Sequence, residues 1–127
     1  LLQADDAWLR KWAANVIGAI GPDALVAEPD LCEACRLPSS EARASALLAL
    51  ASIGARSEDA VGIMEACLSS PDPEERFHAL TGLTAAAKDE PKLHEQILQC
   101  TNDRDGDVRE LANRANPKSQ VDIQAVD

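Results

Sequence analysis

Four arginines, Arg10, Arg43, Arg76 and Arg109, recur at an unbroken spacing of 33 residues, and their surroundings recur with them. Three positions after each stands alanine (Ala13, Ala46, Ala79, Ala112); seven after come Ile17, Leu50 and Leu83, and ten after Ile20, Ile53 and Ala86. Further along, Leu31, Met64 and Ile97 align, as do Ala34, Cys67 and Cys100. Self-similarity at a fixed period of this length requires a stack of similar units, each too small to bury its own apolar face.

Four positions before each arginine sits Asp6, Ser39, Asp72 or Asp105, residues whose side chains cap the first N–H groups of a helix. The spacing therefore predicts helices near 6–20, 40–53, 73–87 and 106–115. Pro73 suits a first helical turn, where its missing N–H leaves nothing unpaired. Gly21 and Gly54 close the earlier copies, since glycine takes the left-handed terminal conformation without steric cost. Between these second helices the chain has room for first helices: Glu58 to Ser69 behind Ser57, and Pro91 to Thr101. The equivalent from Pro22 to Arg36 is interrupted by Pro29, which predicts a short helix starting there.

Composition agrees. Alanine (23) and leucine (15) carry most of the hydrophobic content, and Trp8, Trp12 and Phe77 are the only aromatics. These are helix-forming residues, whereas strands favour aromatic and β-branched ones. A net charge of −10 opposes the phosphate backbone, so nucleic acid is not an expected partner. No apolar run reaches the length of a membrane span, so no membrane role is expected. Four cysteines scattered through helical segments fit a reducing compartment better than a disulfide framework, and cytoplasm is the expected location.

The stretches DAWLRKWAANVIGAIG (Asp6 to Gly21), DPEERFHALTGLTAAA (Asp72 to Ala87) and DGDVRELANRA (Asp105 to Ala115) resemble the second helix of a HEAT repeat. Asp6, Arg10, Ala13, Ile17 and Gly18 match that pattern in the first copy, and Asp105, Val108, Arg109 and Ala112 in the last. The second copy departs at Ser39 and Ala42, and the third at Glu75. The resemblance covers about residues 1–116 and implies an all-α, right-handed α-solenoid of about 3.5 repeats. Residues 117–127 are expected to form a flexible tail after the Asn116-Pro117 stop. It further implies that the Asp and Arg columns bond along the stack. Asp72 and Asp105 are thus expected to accept a fork-shaped guanidinium from an arginine of their own or an adjacent unit.

The opening Leu1-Leu2-Gln3-Ala4 falls in the columns of Cys67-Leu68-Ser69-Ser70, the end of a first helix. A solenoid normally covers its terminal repeat with a polar face, so the chain is expected to be a piece of a longer protein or a processed product.

Catalytic patterns are not apparent. Cys32 and Cys35 form a C-x-x-C, but without the preceding strand of a redox motif; Cys67 and Cys100 fall in neighbouring helices, spaced too widely for one zinc. His78 and His94 lack ligand-spaced companions, and Ser39-Ser40 and Ser69-Ser70 suit turns. We therefore expect core cysteines, no metal, no cofactor and no enzymatic activity.

At 100° per residue, positions two before, one after, five after and eight after each arginine point away from the core. That stripe holds Trp8, Lys11 and Asn15; Glu41, Ala44 and Leu48; Glu74, Phe77 and Thr81; then Asp107, Glu110 and Arg114. The resemblance places it in the concave groove of a solenoid. Trp8, Lys11, Leu48, Phe77 and Thr81 are the candidate partner-binding residues, because large apolar groups in a groove serve as anchors. The expected function is a protein-interaction scaffold docking a protein or peptide, with basic residues suited to the acidic stripe. The resemblance also admits a bilin-chromophore lyase subunit or a purely structural segment of a longer solenoid.

Overall fold

A computed structural model describes Leu2, residues 6–37 and residues 40–115. They form α1 (Ala7–Ile20), α2 (Glu28–Cys35), α3 (Ser40–Ile53), α4 (Glu58–Cys67), α5 (Pro73–Ala86), α6 (His94–Gln99) and α7 (Gly106–Ala115). Short 3₁₀ stretches cover Gly21–Ala27, Pro91–Leu93 and Cys100–Asn102, and no strand occurs among the described residues. The expected cap at Ser39, the Asn116-Pro117 stop and the tail through Asp127 lie outside the described residues.

Helix starts follow from side-chain chemistry. Asp6 accepts the Trp8 N–H at 2.8 Å, Asp72 the Glu74 N–H at 2.9 Å and Asp105 the Asp107 N–H at 2.9 Å. Each bond satisfies a donor that the helix itself leaves open. Ser57 does the same for α4 through Ala60. Gly21 (φ 78°) and Gly54 (φ 75°) take the positive-φ conformation that stops α1 and α3. Pro29 lies in the first turn of α2, and the segment before it is 3₁₀ rather than α.

The arginine-bearing helices stack in order, α1 on α3, α3 on α5 and α5 on α7, while α2 and α4 pack against their partners behind them. This is an α-solenoid. Its core is the predicted set of columns: Ala46, Ala79, Ala112, Leu50, Leu83, Leu31, Met64 and Ile97 are essentially inaccessible. Each fully buried leucine contributes about 1.5–3 kcal/mol, so repetition of these columns carries much of the stability. Small residues set the spacing: a Cβ at Gly18 would stand 3.2 Å from the Ala49 Cα, and one at Gly82 would overlap the Met64 sulfur.

One column departs from expectation in the first copy. Ile20 is 58% exposed, against 2% for both Ile53 and Ala86. Its 100° direction is inward, but burial there also needs helices stacked on the far side of α1, and the described residues supply none.

The arginine ladder also differs from the expected one. Arg43, Arg76 and Arg109 each donate to the carbonyl six residues earlier, at Leu37 (3.3 Å), Ser70 (2.8 Å) and Asp103 (2.9 Å). The side chain thus folds back over its helix start and closes the turn. Towards the next unit, Arg43 lies 3.6 Å from the buried carboxylate of Glu75. Arg76 forks onto Asp103 with two bonds of 3.0 Å. The acceptor is therefore Asp103 and not Asp105, whose Oδ1 is occupied by the N–H groups of Asp107 and Val108 at its own helix start. Asp72 Oδ1 accepts its own cap N–H from Glu74. Arg10 is buried like Arg76. Partial burial pushes the Asp103 carboxyl upward, but the Arg76 hydrogen bond, the Asp105 N–H and the Arg76 and Arg104 charges outweigh it. The group is held below the ordinary carboxylate range.

Candidate functional site

The stripe opposite the core is formed by one side of each second helix, and the structure divides it into separate patches. Between α5 and α7 it opens into a cleft of about 420 Å³ lined by Pro73, Glu74, Phe77, Asp105, Asp107, Glu110 and Arg114. Glu74 and Phe77 come from the first turns of α5, and Asp107, Glu110 and Arg114 from successive turns of α7. The cleft is acidic because helix starts favour carboxylates, which suit the positive end of the helix dipole, and the starts of α5 and α7 both contribute to it. Four carboxylates face one guanidinium across an apolar floor of Phe77 and Pro73.

Phe77 is half-buried and packs against the core, with the His78 ring edge-on at 5.9 Å between centroids. His78 Nε2 lies 3.6 Å from Glu74 Oε1. Thr81 sits one turn deeper on the same helix, its hydroxyl donating to the Phe77 carbonyl at 2.9 Å, and it does not line the cleft.

The other candidates lie elsewhere on the stripe. Lys11 reaches across from α1 to Glu41 of α3 at 2.5 Å. The hydrogen bond and charge of Glu41 hold its ammonium above the usual lysine range. Leu48 on α3 is 41% exposed and Trp8 at the start of α1 is 64% exposed. Neither lines the cleft. Ala44, expected on the outward stripe, is instead buried at 4%. A methyl group in that column does not reach out of the crevice between stacked helices, whereas Lys11 and Glu110 in equivalent positions do.

Some exposed apolar groups lie outside the predicted stripe. Trp12, Val16 and Ile20 are all open to solvent along α1. Comparison down the columns carries the signal: Trp12 stands where α3 and α5 have Ser45 and His78, and Val16 where they have Ala49 and Gly82. Pro73 and Asp105 join the cleft although their sequence roles are helix initiation and capping.

Cys32, Cys35 and Cys100 are buried and Cys67 half-buried, all as free thiols. Burial pushes Cys35 up to about 12, with the nearby Cys67 and Cys32 adding to it, and Cys32 up to about 11, with Asp59 and Glu28 adding. Such thiols are poor nucleophiles near neutrality. Among the described residues no group of three or more His, Cys, Asp and Glu side chains is placed to hold a metal ion. No described helix is long and apolar enough to cross a membrane.

Comparison with known proteins agrees with the architecture. No curated protein sequence matches the chain. Among solved structures it is similar to the crystal structure of an engineered protein, with 22% identity and a TM-score of 0.72 over 91% of this chain. The chain spans 57% of that protein's length, and at this identity the likeness speaks for the fold alone. A family model of HEAT repeats matches residues 1–84. With that match covering most of the sequence, and the stacked arginine-bearing helices beneath it, the chain belongs to the HEAT-repeat family.

Proposed function

We propose that the chain is a protein-binding scaffold that holds a basic segment of a partner in the groove lined by its second helices, anchored in the α5–α7 cleft. One observation carries this: an open cleft of about 420 Å³ whose lining combines the half-buried Phe77 ring with four carboxylates and one guanidinium. A lysine or arginine side chain fits that chemistry on both counts. Its aliphatic stem covers Phe77 while its head meets Glu74, Asp107 or Glu110. A cation over an aromatic ring adds about 0.5–2 kcal/mol, depending on how far it is desolvated. Leu48, further along the stripe, offers a second apolar contact for an extended segment.

HEAT repeats as a class serve as interaction scaffolds, and the net charge of −10 favours basic partners over acidic ones. The test is a fluorescence-anisotropy titration with a Lys- and Arg-rich peptide containing interspersed leucines, against a peptide with Glu at the basic positions. The basic peptide binds, and binding weakens as salt rises because the contact is at the surface. The double variant Phe77→Ser, Leu48→Ser and the charge variant Glu74→Lys, Glu110→Lys each weaken it about tenfold, equivalent to about 1.4 kcal/mol, with helicity unchanged. Equal affinity of the folded variants and the parent for the basic peptide sinks the proposal.

A further inference from the structure

Of the six glycines, Gly62 is the one inside a helix that no neighbour explains. Gly21 and Gly54 hold the positive φ that stops α1 and α3, and Gly106 is the first residue of α7. Gly18 and Gly82 lie inside helices where another helix comes close: a Cβ at Gly18 would stand 3.2 Å from the Ala49 Cα, and one at Gly82 would overlap the Met64 sulfur. Gly62 is inside α4, and a Cβ there would meet nothing within 4 Å. The repeat register does not ask for it, since Pro29 and Glu95 stand 33 residues before and after. Glycine weakens a helix interior relative to alanine. Helix α4 thus carries a destabilising residue that no contact among the described residues requires.

What surrounds Gly62 is open and acidic. A hollow of about 540 Å³ on the first-helix layer is lined by Glu58, Asp59, Gly62 and Ile63 of α4 and by Arg36 at the end of α2. Glu58, Asp59, Gly62 and Ala66 are spaced so that they share one side of α4, and all four are exposed. The buried Ala60, Val61 and Met64 take the other side. Asp59 already holds Arg36 at 2.5 Å. Helices α2 and α4 carry three acids each and neither contains Lys or Arg, so the rim of the hollow is negative.

We propose that the hollow at Gly62 is a docking site that seats a basic helix of a partner protein across α4. The partner lays a small side chain over Gly62, as Ala49 lies over Gly18 within the stack, and the low surface continues one turn on at Ala66. Where two helices pack, such small residues let the axes approach without displacing side chains. Ile63 supplies an apolar edge for the stem of a Lys or Arg whose head meets Glu58. Charge selects this occupant: the six carboxylates of α2 and α4 attract Lys and Arg and repel phosphate groups and anionic lipid surfaces. A second copy of this chain, with its net charge of −10, would set like charges together. The hollow lies on the opposite layer from the α5–α7 cleft, so either site binds or fails without the other.

The test uses a designed helical peptide, longer than the ~15 residues below which isolated helices are marginal, with alanines along one stripe and lysines on either side of it. A peptide of the same composition whose lysines interrupt the stripe controls for charge alone. Anisotropy titrations are made in the Glu74→Lys, Glu110→Lys background, which removes the acidic cleft as an alternative site. The striped peptide is expected to bind and the interrupted one to bind about tenfold more weakly, because it cannot approach the helix backbone closely. Gly62→Gln fills the hollow and is expected to weaken binding about tenfold, as overpacking of a close contact does. Its thermal midpoint is expected to rise, since glutamine favours a helix more than glycine does. Glu58→Lys, which reverses a rim charge, weakens binding about threefold. Absence of binding in this background, equal binding of the two peptides, or unchanged affinity of either variant overturns the proposal. So does a Gly62→Gln midpoint that falls, because α4 would then need the glycine for itself. Sedimentation equilibrium of the chain alone is expected to show a monomer; a dimer that Gly62→Gln dissociates assigns the hollow to a second copy and overturns it as well.

Discussion

Arg76→Ala removes a guanidinium that ties two units together through a fork. The Arg76 and Asp103 side chains are only 7% and 11% exposed, and the arginine also holds the Ser70 carbonyl at 2.8 Å. Deleting one member of a buried ion pair strands the other, at a typical cost of about 3–5 kcal/mol. Asp103 keeps the Asp105 N–H at 2.8 Å and some contact with water, which places the cost at the lower end, about 3 kcal/mol. An unfolding entropy of roughly 2.1 cal/mol/K per residue gives about 0.25 kcal/mol/K for a chain of this length. The thermal midpoint should then fall by about 12 °C, read from the helical circular dichroism signal at pH 7.

Arg109→Ala is the control. Its guanidinium donates to the carbonyls of Asp103 and Arg104 at an exposed position, so its loss costs about 1 kcal/mol. Arg76→Lys keeps the charge without the fork and falls between the two. A midpoint for Arg76→Ala within 3 °C of the parent, or equal to that of Arg109→Ala, would refute the reasoning and leave the repeated spacing of arginines without an energetic role at this interface.

Three further outcomes follow from the same geometry. Asp103 is held below its ordinary value of 3.8 in the folded chain, so its contribution is fully present above that value and is lost as pH falls through the lower folded value. The stability gap between the parent and Asp103→Asn should therefore be constant from about pH 7 to 5 and close under stronger acid; a gap that widens on acidification contradicts the pairing. Gly82→Val transplants the α1 residue of that column into a site where a Cβ already overlaps the Met64 sulfur, and overpacking of this kind costs about 1–3 kcal/mol. Urea unfolding checks it, and an unchanged midpoint would show that the interface yields. The buried thiols Cys32, Cys35 and Cys100 should react with a disulfide reagent at pH 8 only as fast as the chain opens, with Cys67 leading; labelling of Cys35 at the rate of a free thiol would count against its burial.

The periodicity made the architecture legible because each column answers one local question: which side of its own helix is apolar. Ala46, Leu50, Ala79 and Leu83 answer it correctly, and the caps at Asp6, Asp72 and Asp105 are equally local. Contacts between units were harder to place. An arginine was expected to reach a cap carboxylate in the strict repeat column, but Asp105 points an oxygen at its own helix start, and Arg76 instead forks onto Asp103, an off-column residue that also accepts the Asp105 N–H. Arg43 uses yet another source, Glu75, a residue that looked like a departure from the family pattern. Phe77 of the predicted stripe lines the α5–α7 cleft, but so do Pro73 and Asp105, which the sequence marks for helix initiation.

The ladder and the cleft use the same chemistry for separable ends. Arg76 and Glu75 lie buried between units, with Asp103 partly buried beside Arg76, where an unpaired charge is costly, and they bind the stack together. Glu74, Asp107 and Glu110 are exposed, so their mutual repulsion is screened and they remain available to an incoming cation. Glu74 and Glu75 are adjacent, yet one helical step of 100° sends the first into the cleft and the second beneath Arg43. Substituting Glu74 should therefore alter recognition with little effect on stability, whereas Glu75→Gln should weaken the α3–α5 interface and leave peptide binding by the folded chain intact. Measuring both variants by anisotropy and by urea unfolding separates the two roles; parallel losses in both assays for both variants would mean that the cleft and the ladder act as one unit.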